Sequence, residues 1–156
     1  LNDGRLDYEN DLLDKLDFVV ASIHANLKMD EAKATNRLIV AIEHPATSIL
    51  GHPTGRLLLS RKGYPINHKK VIDACAANKV CVELNANPHR LDIDWRWIPY
   101  CIEKGVKISV NPDAHSINGI DDIIYGTVSA RKGGLTKSDC LNARPVDEFL
   151  KSISKS

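Results

Sequence analysis

The sequence predicts an α/β protein with a parallel sheet, on two observations. Short apolar, β-branched runs alternate with segments of helical periodicity, and strand followed by helix, repeated, calls for parallel strands. A polar residue able to bind or orient a ligand also follows each run at intervals of about thirty residues, the length of one βαβ unit. The runs are Leu16 to Ser22, Thr47 to Leu50, Lys79 to Leu84 and Gly105 to Val110, and the polar residues are His24, His52, Asn85 and His115. In a parallel α/β barrel the carboxyl ends of the strands meet on one face, so these four residues are expected to be neighbours.

The helices follow in order. Asp30 to His44 carries Ala34, Leu38, Ala41 and Ile42 at helical spacing, and Pro45 ends it because proline cannot continue the ladder. Asn67 is a good cap for a second helix with Val71, Ile72, Cys75 and Ala76 on one face, stopping at Asn78. A third is expected over about Asp94 to Lys104, closed by Gly105, with Pro99 in its first part. A fourth follows Asn118 through Arg131 and stops at Gly133-Gly134, and Pro145 opens a last one through Phe149 and Leu150. No linker or low-complexity segment interrupts residues 1–156, which read as a single domain.

Composition bounds the function classes. At 43% hydrophobic and 26% charged residues the chain is globular in type, and its net charge of +1 excludes a general basic field for coating nucleic acid. The four cysteines, Cys75, Cys81, Cys101 and Cys140, lack zinc-finger or redox spacing and read as reduced thiols of a cytoplasmic protein. No apolar stretch is long enough to span a membrane and no secretory segment opens the sequence. It begins at Leu1 without an initiator methionine, which suggests a piece of something longer.

The sharpest local pattern is Asn111-Pro112-Asp113-Ala114-His115-Ser116, an Asp-x-His at the exit of an apolar strand. Its carboxylate and imidazole are expected on one side, a mixed ligand pair that suits zinc, manganese or iron; the plain alternative is a capped turn with a surface histidine. In Gly51-His52-Pro53-Thr54-Gly55-Arg56, glycines let the backbone approach a ligand and Arg56 is placed to clamp a phosphate; the alternative is an ordinary βα turn. Period-two alternation puts Ser22 with His24, and Glu83 with Asn85. Glu83 reads as a partner that orients a histidine or as a salt-bridged barrel residue, rather than as a ligand. His44 and His68 sit at helix ends, where dipole or solvation roles suffice, while His89 beside Arg90 could touch substrate. Three histidines and an aspartate at strand ends point to a polynuclear metal site, which activates water and holds the oxygens of a phosphate ester.

Several motifs together span nearly the whole chain: the Asp3 to Asp7 opening, Leu16 to His24, Ile49 to Leu59, Val82 to Asp92, Pro112 to Ser116, and Tyr125 to Gly133. On these the sequence resembles the polymerase and histidinol phosphatase (PHP) domain, in the form found at the C-terminus of bacterial family X DNA polymerases. The resemblance implies a distorted (β/α)7 TIM-like barrel, here lacking its N-terminal strands, with up to three divalent ions, Zn2+ or Mn2+. It implies a metal-dependent phosphoesterase with 3′-5′ exonuclease or DNA 3′-end-processing activity in repair. His24, His52, Asp113 and His115 match family metal ligands, with Asp113, His115 and Arg56 in catalytic positions. Arg56, Asn85 and Arg90 lie in motifs that line the substrate cleft. The implied partners are DNA 3′ ends or small phosphate esters, a polymerase domain in the parent chain, and an upstream PHP segment carrying the remaining ligands. A histidinol-phosphatase-like phosphomonoesterase and a non-catalytic DNA-binding or scaffold piece are the competing readings.

Overall fold

A computed structural model describes residues 1–153. Four strands, β1 (Val19–Ala21), β2 (Thr47–Leu50), β3 (Cys81–Asn85) and β4 (Ile108–Asn111), form one sheet in the order β1-β2-β3-β4, every pair parallel. A parallel bridge from Ile108 to Cys140 extends the pairing past β4. The alternating α/β architecture is thus present, as an open four-stranded sheet rather than a closed barrel. Among the described residues no helix is long and apolar enough to cross a membrane.

Between the strands run α2 (Glu31–Glu43), α3 (His68–Ala77), and α4 (Ile98–Glu103); α1 (Asn10–Leu13) precedes the sheet, and α5 (Ile123–Lys132) and α6 (Val146–Ile153) follow it. Asn67 caps its helix as the sequence predicts, accepting from the Lys70 N–H at 3.1 Å, and Asp30, read as the start of its helix, is also a cap, accepting from the Lys33 N–H at 2.7 Å. Two helices are split. Pro99 in the first turn of α4 follows a 3-10 turn at Trp95–Trp97, and α5 follows a 3-10 segment at Ile117–Asp122.

Three strands start later than their apolar runs, for one physical reason. The ends of the preceding helical turns leave carbonyls unpaired, and the next N–H groups are drawn back to them. Leu16 N–H donates to Leu13 O, Val80 N–H to Cys75 O, and Val106 N–H to Cys101 O, at 3.1, 2.9 and 2.8 Å. Those residues belong to the turn before they can join the ladder.

The sheet has two unlike faces. Leu50, Val82, Leu84, Ile108 and Val110 enter the main core with Leu38 and Ile42 of α2, Val71, Ile72 and Cys75 of α3, and Ile98 and Cys101 of α4. On the opposite face Ile49 and Cys81 are capped by Ile153 and Phe149 of α6, and Phe149 meets Phe18 edge-to-face at 5.6 Å between ring centroids. Farther toward the carboxyl ends that second face becomes polar, with Glu83, Asn85, Ser109 and Asn111. The Asp3 to Asp7 motif also acquires a role. Gly4, at φ 96°, lies against Arg37 O and Val40 of α2, and buried Arg37 donates to Leu1 O and Ala25 O.

Helix α5 is seated by a glycine. A Cβ at Gly126 would lie 2.3 Å from Ala86 Cβ and 2.8 Å from Val110 Cγ1. Gly126→Ala is therefore expected to destabilise the fold by about 1–3 kcal/mol, because α5 must lift from β3 and β4, measurable as a lowered urea midpoint. Stability unchanged by the substitution would refute this close docking.

The thiols follow burial. Burial pushes Cys81 up to about 11 and Cys101 up to about 12, from an ordinary 9.0. Since the folded values are raised, their contribution is intact below about pH 9 and declines as pH rises toward 11 and 12. The decline has a limiting slope of about 1.4 kcal/mol per pH unit for each thiol. Alkylation with iodoacetamide and peptide mapping at pH 8 should label Cys140, which is half-buried, and spare Cys81 and Cys101. Fast labelling of Cys101 in the folded chain would contradict this.

Candidate functional site at the carboxyl ends of the strands

The parallel sheet carries His24, His52, Asn85, Asp113 and His115 at one edge, because each lies at or just past the end of its strand. Their individual settings differ. His52 is buried, and its Nε2 lies 3.2 Å from Nε2 of exposed His24, with the rings edge-to-face at 5.0 Å between centroids. Two nitrogens at about 2.0–2.1 Å from one tetrahedral ion are separated by about 3.3 Å, so this approach fits two ligands of a single cation. Ser22 Oγ is 3.2 Å from the same His24 nitrogen. Burial, and then the Arg90 charge, lower the pKa of His52, which favours the neutral ring a metal needs.

His52 is set by Glu83, in the orienting role the sequence suggests and without a salt bridge. The buried carboxylate accepts from the His52 backbone N–H at 2.6 Å, from Asn85 Nδ2 at 3.3 Å and from Asn111 Nδ2 at 2.9 Å. Burial raises its pKa, while the bonds from Asn111, His52 and Asn85 oppose the rise. His52 itself has φ 25°, and Asp113 has φ 54°, both in the region that side chains avoid. Two candidate ligands held there mark the turns as shaped for something other than local ease.

Asp113 does not continue the strand. β4 ends at Asn111, and the left-handed turn at Asp113 breaks the alternation that would have placed it beside His115. Its Oδ2 instead pairs with Arg90 Nε at 3.0 Å. His115 is exposed, and its Nδ1 donates to the Asp113 carbonyl at 2.7 Å; since a carbonyl only accepts, Nδ1 carries the proton and Nε2 offers a lone pair outward. Among the described residues no group of three or more His, Cys, Asp or Glu side chains is arranged to hold a metal ion. The site is thus a histidine pair at β1 and β2 and an Asp-His turn after β4.

Two expected substrate contacts are turned inward. Asn85 is fully buried, its Oδ1 accepting from the Asn87 N–H and its amide donating to Glu83. Arg56 points its guanidinium into the 90–94 loop: Nε donates to Arg90 O at 2.8 Å, one terminal nitrogen to Asp94 Oδ2 at 2.9 Å, and the other to Leu91 O. Its fork grips backbone and carboxylate where the sequence suggests a phosphate. Arg90 is mostly buried and aimed at Asp113. His89 is exposed, its carbonyl accepting from the Leu58 N–H. His68 stacks on Trp97 at 4.5 Å, a structural contact.

The sequence reading overlooked Thr54, Tyr64 and Asp92, which lie behind His52. Thr54 N–H donates to Asp92 Oδ2 at 3.0 Å, and Asp92 has no exposed surface. An aspartate amid Leu91 and Ile93 was the available signal, since a carboxylate within an apolar run is buried only for a reason.

These features define a parallel α/β protein whose imidazole and carboxylate groups collect at the carboxyl ends of its strands. The chain is 40% identical over 154 residues, 97% of its length, to a Bacillus subtilis (strain 168) protein named "DNA polymerase/3'-5' exonuclease PolX". It is 29% identical over 96% of its length to a Thermoanaerobacter sp. (strain X514) protein named "Probable phosphatase", and 30% identical over 72% to another so named from Caldanaerobacter subterraneus. It spans 27% of the polymerase, and 63% and 46% of the two phosphatases. No family model matches the chain. With these relatives the chain fits a fragment of a PHP domain.

Proposed function

We propose that this chain is the C-terminal portion of a metal-dependent PHP-type phosphoesterase acting on DNA 3′ ends in the cytoplasm, within a parent protein that also carries a polymerase domain. The observation that carries the reading is the 3.2 Å approach of the His24 and His52 Nε2 atoms. His24 and His52 would share one divalent ion, zinc or manganese, and Asp113 with His115 would contribute to another. When bound, such ions lower the pKa of water and neutralise charge on a phosphate ester. Glu83 fixes the His52 backbone, Arg90 aligns Asp113 and adds positive charge for a phosphate, and Arg56 with Asn85 hold the loops that carry them.

The nuclease reading draws on the polymerase relative, which is matched over nearly the whole chain. A phosphomonoesterase of the histidinol phosphatase type is the second reading, favoured by phosphatase-named relatives matched over 96% of the chain. Metal content by plasma mass spectrometry, with His52→Ala and His115→Ala alongside, is the test. Near-stoichiometric zinc or manganese, lost in either variant, is expected, followed by hydrolysis of 3′-recessed DNA in preference to histidinol phosphate. A chain that binds no metal and DNA that survives incubation, both in the fragment and in the full parent, would overturn it.

A further inference from the structure

Five buried side-chain atoms among the described residues have no hydrogen-bond partner, and four belong to one neighbourhood: His52 Nδ1, Thr54 Oγ1, Tyr64 Oη and Asp92 Oδ1. The chain ties these residues together. Asp92 Oδ2 accepts from the Thr54 N–H, Thr54 O accepts from the Tyr64 N–H at 3.0 Å, and His52 O accepts from the Gly55 N–H at 2.9 Å. Gly55 and Gly63 let the parts close up, since a Cβ at Gly55 would lie 2.9 Å from the Tyr64 ring and one at Gly63 2.7 Å from Thr54. The Asp92 charge acts on both the His52 ring and the Tyr64 hydroxyl. His52, Tyr64 and Asp92 are 6%, 5% and 0% exposed.

Polar atoms buried this deeply are satisfied as a rule, and an internal water commonly bonds about three of them. We propose that Asp92, with Tyr64 and Thr54, is a positioning group for His52: a water-bridged relay ending at the Asp92 carboxylate keeps the ring proton on Nδ1 and turns the Nε2 lone pair toward His24. The direction follows from the donor inventory. Burial raises the Asp92 pKa, while hydrogen bonding from Thr54 and the Arg56 charge oppose the rise. Hydroxyls and water both give and accept, and a carboxylate in its ionised form only accepts, so with Asp92 ionised the hydrogen bonds run toward it and the ring nitrogen at the far end donates. A metal-binding histidine is oriented in this way by a carboxylate or water on its other nitrogen. The inference rests on His52 being a ligand, and it adds the residues that prepare it.

Long-range proton–nitrogen correlation spectra of the metal-free chain read the tautomer directly. The wild type should show His52 as the Nδ1–H form. Asp92→Asn should move it toward the Nε2–H form and weaken zinc binding by about 10–100-fold, while Tyr64→Phe, which removes only a hydroxyl, should give a mixture. A wild-type ring in the Nε2–H form overturns the relay, even if Asp92→Asn fails to fold. An unchanged tautomer in folded Asp92→Asn overturns it too. The expected tautomer in a chain that takes up no metal, either as this fragment or within the full parent, supports the relay and sinks the metal reading instead.

Discussion

Glu83→Ala should destabilise the fold by about 3–5 kcal/mol, on the order of one to two for each donor left without an acceptor. Three donors depend on this carboxylate: the His52 backbone N–H, the Asn85 amide and the Asn111 amide. They come from the ends of β2, β3 and β4, so the loss loosens three strand ends together. Asn85 is fully buried, and water reaches its amide only if the sheet edge opens. Glu83→Gln preserves the shape and an accepting oxygen and should cost roughly half as much, since its amide end now faces a donor. Urea titrations of both variants measure the difference. Equal losses would mean that the shape and the accepting oxygen kept by glutamine count for nothing, and that only a carboxylate serves the three donors.

Arg56→Ala should cost about 2–4 kcal/mol, because it strips a partly buried carboxylate and two loop carbonyls of their donor. Arg56→Lys should recover little, since an ammonium cannot span Arg90 O, Leu91 O and Asp94 together. The loss should also depend on pH. Hydrogen bonds from Arg96 first, then from Arg56, hold the Asp94 carboxyl well below its ordinary 3.8. A lowered folded value gives stability that is present above pH 3.8 and lost as pH falls below it. Removing Arg56 takes away part of that term, so the gap between wild type and Arg56→Ala should be full at pH 7 and narrow on acidification. Thermal melts across that range test it, and a gap that widens toward acid would contradict the assigned role.

How much was legible in the sequence depended on whether a cause was local. The helix start at Asp30, the cap at Asn67, the stops at Asn78 and Gly133, and the alternation of strand and helix rest on a few adjacent residues, and the structure carries them. Strand starts were read too early, because the pull of a preceding helix end on the next N–H groups is not visible as hydrophobicity. The same limit governs the site. Residue type and position brought His24 and His52 to the same sheet edge, whereas the inward turn of Arg56 depends on loop carbonyls some thirty-five residues away. Asn85 was likewise read as a cleft residue, and it serves Glu83 two positions back on the same strand. The period-two rule failed at Asp113 for a definite reason: the strand ends at Asn111 and the chain then takes a left-handed turn.

The sheet order repeats the chain order, with no strand inserted between earlier neighbours. Each new strand therefore needs only the one made just before it. During synthesis the ladder can be extended as the chain emerges, and no edge has to wait for a distant segment before it is paired. Every pairing still has to span roughly thirty residues, so each step is slower than closing a hairpin, but none has to reach across the whole chain. Loss of residues from the C-terminal side would then remove the last rung first, leaving the histidine pair of the first two strands among the last features to go.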